Sequence, residues 1–197
     1  MKYVSHLDMN RFFTRVLRKS NLPIWYTEGY NPHPYITFAL PLSLGFESDY
    51  EIMDFRLTDD DFPLKKAQEI LNTVVPEYIQ IIKICEPVMK SGKIAFAEYE
   101  LTFETAQLTS KFYEFIMSSS VIVSKKTKKG EIKVIDIADK IKDINKSDNK
   151  VCFLLPAGND NINPSVIVTA FLQEVGDDSF VSYLRKALYN EQKELFI

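Results

Sequence analysis

The stretch Ser5-His6-Leu7-Asp8-Met9-Asn10-Arg11-Phe12-Phe13-Thr14-Arg15-Val16-Leu17-Arg18-Lys19-Ser20 sets the reading of everything around it. Met9, Phe12, Phe13, Val16 and Leu17 fall on one arc at about 100° per residue, the period of an amphipathic helix. Ser5 supplies an N-cap, and Asp8, three residues on, makes a weaker form of the capping box. Arg11, Arg15 and Arg18 form a basic stripe on the opposite face. Asn21 and Pro23 end the helix.

Outward from that helix, residues 22–27, 35–40, 50–57 and 79–84 read as strands, 41–45 as a turn, and 63–74 as a helix with Pro63 near its start. Gly29-Tyr30-Asn31-Pro32-His33-Pro34 is a loop, since two prolines and a glycine in six residues permit little else. With Lys2 to Val4 taken as the tail of a preceding strand, the order is β-α-β-β-α-β, the ferredoxin-like unit. Two helices with one apolar face each then cover one face of a four-stranded antiparallel sheet.

Residues 87–93, with Pro, Ser, Gly and two lysines, read as a linker, and the pattern then restarts. A strand is expected over 96–104 and a helix over 108–117. Residues 121–126 and 131–135 form a hairpin around Lys128-Lys129-Gly130. A short helix follows over 136–144, then an apolar strand over 151–155. Asn163-Pro164 opens a helix over 165–175. Residues 180–197 carry no decisive pattern. The expected architecture is α+β: two ferredoxin-like halves with antiparallel sheets, residues 1–87 and 94–197, the second packed on the first.

Composition narrows the chemistry. The 197 residues carry 24 basic and 27 acidic side chains, a net charge of −3, so nucleic-acid coating by bulk charge is excluded and any such contact needs a local patch. Residues 1–35 hold five basic and two acidic residues, while 36–63 hold one basic and seven acidic. Cys85 and Cys152 are the only cysteines, too few for a disulfide scaffold or a four-cysteine metal site. His6 and His33 are the only histidines, which excludes a three-histidine metal site, and no metal or cofactor is expected. No signal-peptide core opens the chain, and no apolar run approaches the roughly 18 residues of a membrane span. A reducing cytoplasmic address is the expectation.

Four groups of residues carry candidate chemistry. Ser5, His6, Asp8, Arg11 and Arg15 surround a helix N-terminus, where free backbone N–H groups favour an anion and His6 can act as a donor or general base. Capping alone also accounts for Ser5 and Asp8. Arginines suit bidentate phosphate recognition better than lysines do. The loop places Tyr26, Tyr30, Asn31, His33 and Tyr35 close together, a set able to stack a ring and bond its edge. Glu47, Ser48, Asp49, Glu51 and Asp54 bring carboxylates able to ligate Mg²⁺ or share a proton, although a solvated strand face is the commoner use of such a run. Lys125, Lys126, Lys128 and Lys129 crowd a hairpin tip, where charge also guards against edge pairing. A Gly-rich phosphate loop, a nucleophile elbow and a zinc-protease helix motif are all absent from the sequence.

The series Tyr3-Val4-Ser5-His6-Leu7-Asp8, the three arginines, Leu22-Pro23, Glu28-Gly29-Tyr30-Asn31-Pro32-His33-Pro34, Phe38-Ala39-Leu40-Pro41-Leu42, Gly45, Glu47-Ser48, Glu51 and Asp54 resembles a bacterial family. That family is the radical-SAM-associated domain of unknown function, fused to or encoded beside a cobalamin-binding radical SAM protein. The match is dense over residues 3–57 and loose beyond. Family members show a fuller strand before the Ser-His-Leu-Asp segment than the four residues that precede Ser5 here, so the resemblance implies a truncated first strand. Tyr30 stands where phenylalanine is usual, and Tyr35 where a basic residue is common.

The radical chemistry needs a three-cysteine cluster motif, and two cysteines cannot supply it. The resemblance therefore implies an accessory module that binds substrate, RNA or another anionic ligand, for a radical SAM partner. A second reading is a metal-independent endoribonuclease in which His6 or His33 deprotonates a 2′-OH and an arginine steadies the phosphate. A third is a protein–protein adaptor that docks through sheet edges or the aromatic loop.

Overall fold

Ser5 lies in extended backbone and its hydroxyl accepts the Asp8 amide at 3.2 Å, so the helix begins where the cap predicts. In this computed structural model, which describes residues 2–126 and 132–197, helix α1 spans His6–Lys19. Arg18 and Lys19 occupy its last turn, where cations favour the helix dipole, and Asn21 leaves with a left-handed φ of 57°. The chain forms two compact units: one holds residues up to Leu44 together with Glu51–Lys90, the other holds Gly45–Tyr50 with Ser91–Phe196.

In the first unit, α1 buries Phe13, Val16 and Leu17 against Ala67 and Leu71 of α2 (Leu64–Val74), joined by Leu22, Ile24 and Val75. Each such side chain removed from water contributes about 1.5–3 kcal/mol. Strand β1 (Ile36–Phe38) pairs antiparallel with β3 (Met53–Phe55), with Ile36 opposite Phe55 and Phe38 opposite Met53. These four side chains pack on the helices' core.

Four expectations for this unit change. The strand tail expected over Lys2 to Val4 is a turn that leads to the Ser5 cap. The strand expected over 22–27 shrinks to single bridges at Ile24 and Tyr26, because Pro23 and Pro34 lack the N–H needed to extend the ladder. The strands expected over 35–40 and 50–57 shorten to β1 and β3. Residues 79–84 make no ladder among the described residues. Instead, the Ile81 amide donates to Asn72 Oδ1 at 2.9 Å, and the Ile81 carbonyl accepts from Asn72 Nδ2 and Gln68 Nε2, both at 3.0 Å. Side chains of α2 take the place of a neighbouring strand.

In the second unit, β4 (Phe96–Thr102) buries Ala97, Tyr99 and Leu101 at every second position. It is paired antiparallel on both sides, by β8 (Lys150–Pro156) and β9 (Ser182–Tyr189). Strand β7 (Lys142–Ser147) extends the sheet beyond β8. Strand β2 (Phe46–Ser48) extends it beyond β9, running parallel, for an order of β2-β9-β4-β8-β7. Thr105 caps α3 (Ala106–Ile116), and Asn163 with Pro164 opens α4 (Pro164–Val175), which ends on left-handed Gly176. Gly158 is obligatory for a different reason: a Cβ there would sit 2.5 Å from the Ile94 carbonyl oxygen.

The hairpin forms from β5 (Ile122–Lys126) and β6 (Ile132–Asp136); Lys128, Lys129 and Gly130 at its expected tip lie outside the described residues. Two further expectations change here. The helix expected over 136–144 is a single 3-10 turn, Ala138–Lys140, followed by β7. The Asp136 carboxylate explains the stop, since it accepts the Val121 and Ala138 amides and the Ser120 hydroxyl. The turn read over 41–45 leads into β2, which is held by Ser48 Oγ and the Asp49 amide, both donating to the Arg185 carbonyl.

Phe112 is the hub of this unit's core, with its ring 4.8 Å from Phe103, 5.2 Å from Phe171 and 6.3 Å from Phe153. Phe112→Ala is expected to cost about 3–5 kcal/mol, the usual range for an aromatic truncation in a packed core. Urea titration followed by circular dichroism measures it; a loss below about 1 kcal/mol would mean the cluster collapses without penalty.

Candidate functional site

The loop with two prolines is closed by a short ladder. The Thr27 amide donates to the His33 carbonyl at 2.9 Å, and the Tyr35 amide to the Trp25 carbonyl at 3.3 Å. His33 is fixed further: its amide donates to Thr27 Oγ1, and its Nδ1 lies 3.0 Å from the Asn31 carbonyl oxygen. Thr27 Oγ1 lies 3.1 Å from the same Nδ1, so that ring nitrogen is held on two sides. His33 is exposed, and Nε2 has no partner among the described residues.

Helix α1 reaches this loop through Arg18, whose guanidinium donates to the Pro32 carbonyl at 3.4 Å. Arg15, one turn earlier on the same face, is exposed and makes no hydrogen bond or ion pair among the described residues. Arg11 differs, because its guanidinium is 3.2 Å from Asp8. That contact and the 2.7 Å bond from the Ser5 hydroxyl hold the Asp8 carboxyl below its ordinary range, Ser5 being the larger cause. The three-arginine stripe is thus reduced to two available cations beside the loop.

His6 belongs elsewhere on α1. Its ring stands edge-on to Phe38 at 5.4 Å, and Asn10 Nδ2 lies 3.0 Å from both its Nε2 and its own carbonyl oxygen. With Arg18 at Pro32 and His6 at Phe38, the segment between Pro32 and Phe38 runs antiparallel along the helix. His6 and Arg18 are twelve residues apart, about 18 Å along the axis. The two histidines therefore mark opposite ends of α1.

Tyr30 is fully exposed at the loop tip, and Asn31 beside it is exposed too. The acidic run is divided. Glu47 is exposed on β2 in the second unit, while Glu51, which is exposed and has interactions of its own, belongs to the first. Asp54 lies on β3 opposite Thr37, where partial burial pushes its carboxyl up. Among the described residues, no three His, Cys, Asp or Glu side chains converge in a set fit for a metal ion.

Two groupings escape sequence reasoning. The Arg56 guanidinium lies 5.2 Å over the Trp25 ring, and Tyr35 meets that ring edge-on at 6.2 Å. No periodicity links residues 25 and 56; only the Trp25 amide donating to the Arg56 carbonyl does. In the second unit, Glu100 on β4 takes Lys150 Nζ at 2.7 Å and the Cys152 thiol at 3.7 Å. Burial, reinforced by Glu100, pushes the Cys152 thiol up, so it stays protonated and is a poor nucleophile. Burial and the Glu98 carboxylate push Tyr189 up to about 12, burial being the larger cause.

The Lys150 bond holds the Glu100 carboxyl below its ordinary 4.5. A carboxyl depressed on folding stabilises above its unfolded value, and the benefit is lost as pH falls through the folded one. Stability should fall below pH 4.5, and Glu100→Gln should flatten that part of the profile. Chemical denaturation at stepped pH checks this; an unchanged slope in the variant would remove Glu100 as the cause.

No curated protein sequence matches the chain. The sequence pattern of the family described as an uncharacterized protein conserved in bacteria, DUF2344, matches residues 1–167, a span that includes α1, the loop and most of the second unit. The chain belongs to that bacterial family.

Proposed function

We propose that this chain is a non-catalytic accessory module that binds an anionic ligand, with RNA the leading candidate, for a radical SAM partner enzyme in the cytoplasm. The observation that carries the reading is the join between α1 and the loop. Arg18 is tied to Pro32, Arg15 stands free beside it, and His33 is held with Nε2 outward. Two guanidiniums and an exposed aromatic loop suit a phosphate-bearing ligand. The resemblance over residues 3–57 supports the radical SAM partner. Absence of a membrane-spanning helix among the described residues fits a partner away from the bilayer.

We also read both units as ferredoxin-like. In the second, the β4-α3-β7-β8-α4-β9 path and the β9-β4-β8-β7 order support it, with the β5–β6 hairpin as an insertion. In the first, α1, β1, β3 and α2 follow the same succession among the described residues. The endoribonuclease reading needs His6 and His33, or one of them with Tyr30, to converge; about 18 Å of helix lies between the neighbourhoods of the two histidines, which leaves it His33 with Tyr30 of the same loop.

Fluorescence anisotropy with a labelled single-stranded RNA, repeated at several salt concentrations, tests the site. Arg15→Ala with Arg18→Ala should weaken binding at least tenfold and reduce the salt slope by about 1.4, two lost phosphate contacts. Arg11→Ala should change it little, since Asp8 already neutralises that side chain. Equal losses from all three positions would point to bulk charge, and no loss from the pair would place the site elsewhere.

A further inference from the structure

We infer that the outer face of the loop's ladder is a base-stacking subsite for single-stranded nucleic acid, built from Trp25, Arg56 and Tyr35. This rests on the anionic-ligand reading above and names the class of ligand. Alternation along the ladder sends Ile24 and Pro34 inward, where both are buried. Trp25, Thr27, His33 and Tyr35 therefore share the opposite face, with Trp25 beside Tyr35 and Thr27 beside His33. Arg56 joins them from the end of β3, its Cζ 5.2 Å over the indole.

The state of Arg56 points to a ligand. Its side chain is exposed and makes no hydrogen bond or ion pair among the described residues. Its guanidinium carbon lies 5.2 Å over the Trp25 ring centroid, and its five N–H donors are available to a ligand. A flat, aromatic-backed guanidinium is the surface on which unstacked bases lie in single-strand recognition. Tyr35, 44% exposed, offers a second ring next to it. A bare polyphosphate would use Arg15 and Arg18 on α1; a ligand with bases would also use Arg56 and the rings. The face therefore favours a base–sugar–phosphate strand over a simple polyanion.

Trp25 is the only tryptophan in the chain, so its emission reports on this face and nowhere else. Titration with the ribo-oligonucleotide (A)10 should quench it, and the deoxy strand (dA)10 run in parallel distinguishes RNA from DNA as the source of the bases. Inorganic polyphosphate should compete for binding without quenching. Arg56→Gln should weaken (A)10 binding about tenfold or more, the effect of losing one stacked base, and leave polyphosphate binding nearly unchanged. Trp25→Ala, read by fluorescence anisotropy of labelled (A)10, should weaken that strand about tenfold or more and leave polyphosphate binding nearly unchanged, and an unchanged circular dichroism spectrum separates lost stacking from lost folding. If (A)10 and polyphosphate bind equally, with no quenching and no effect of Arg56→Gln, the subsite is overturned while the anionic-ligand reading stands. If neither ligand binds, both fall.

Discussion

The bond from the Thr27 amide to the His33 carbonyl is the constraint on which the candidate site depends. Pro32 and Pro34 flank the histidine and have no N–H of their own, so this ladder can be neither long nor adjustable. Its shortness is useful. A longer hairpin would bury its backbone in regular pairing and carry the loop away from α1. Here the Pro32 carbonyl is left for Arg18, and the Asn31 carbonyl for His33 Nδ1. Two prolines thus convert backbone acceptors into fixtures for a cation and an imidazole.

The two units use polar groups in different ways. In the second, the half-buried sheet residues are satisfied by one another: Glu100 by Lys150 and Cys152, Glu98 by Tyr189. Groups so matched stabilise a fold and leave little for a ligand. In the first, Arg15, the Arg56 guanidinium, His33 Nε2 and the Tyr30 ring are all exposed, and none has a hydrogen-bond partner among the described residues.

Much of the fold was legible because its signals are local. The Ser5 cap, the apolar arc through Leu17 and the Asn163-Pro164 pair each act within a turn of helix, and each element starts where they say. The alternation of β4 was readable for the same reason. What escaped was long-range. Phe46-Glu47-Ser48 is too short to show a period, and it is a strand only because β9 lies beside it. Residues 79–84 look like a strand in composition, yet α2 side chains claim the backbone. Of the site, the arginine stripe and the loop were visible as residues. The loss of Arg11 to Asp8 and the Trp25–Arg56 stack required the fold.

Strand β2 bears on how the protein is made. It leaves the ribosome well before β9, its partner in the ladder, and Ser48 finds the Arg185 carbonyl 137 positions later. During synthesis β2 waits without its ladder partner until β9 has emerged. Contacts of such separation close slowly because the loop entropy is lost before any bond is gained. A chaperone or a partner protein met during translation would find that segment accessible, and assembly with such a partner would be timed by the emergence of β9 rather than of β2.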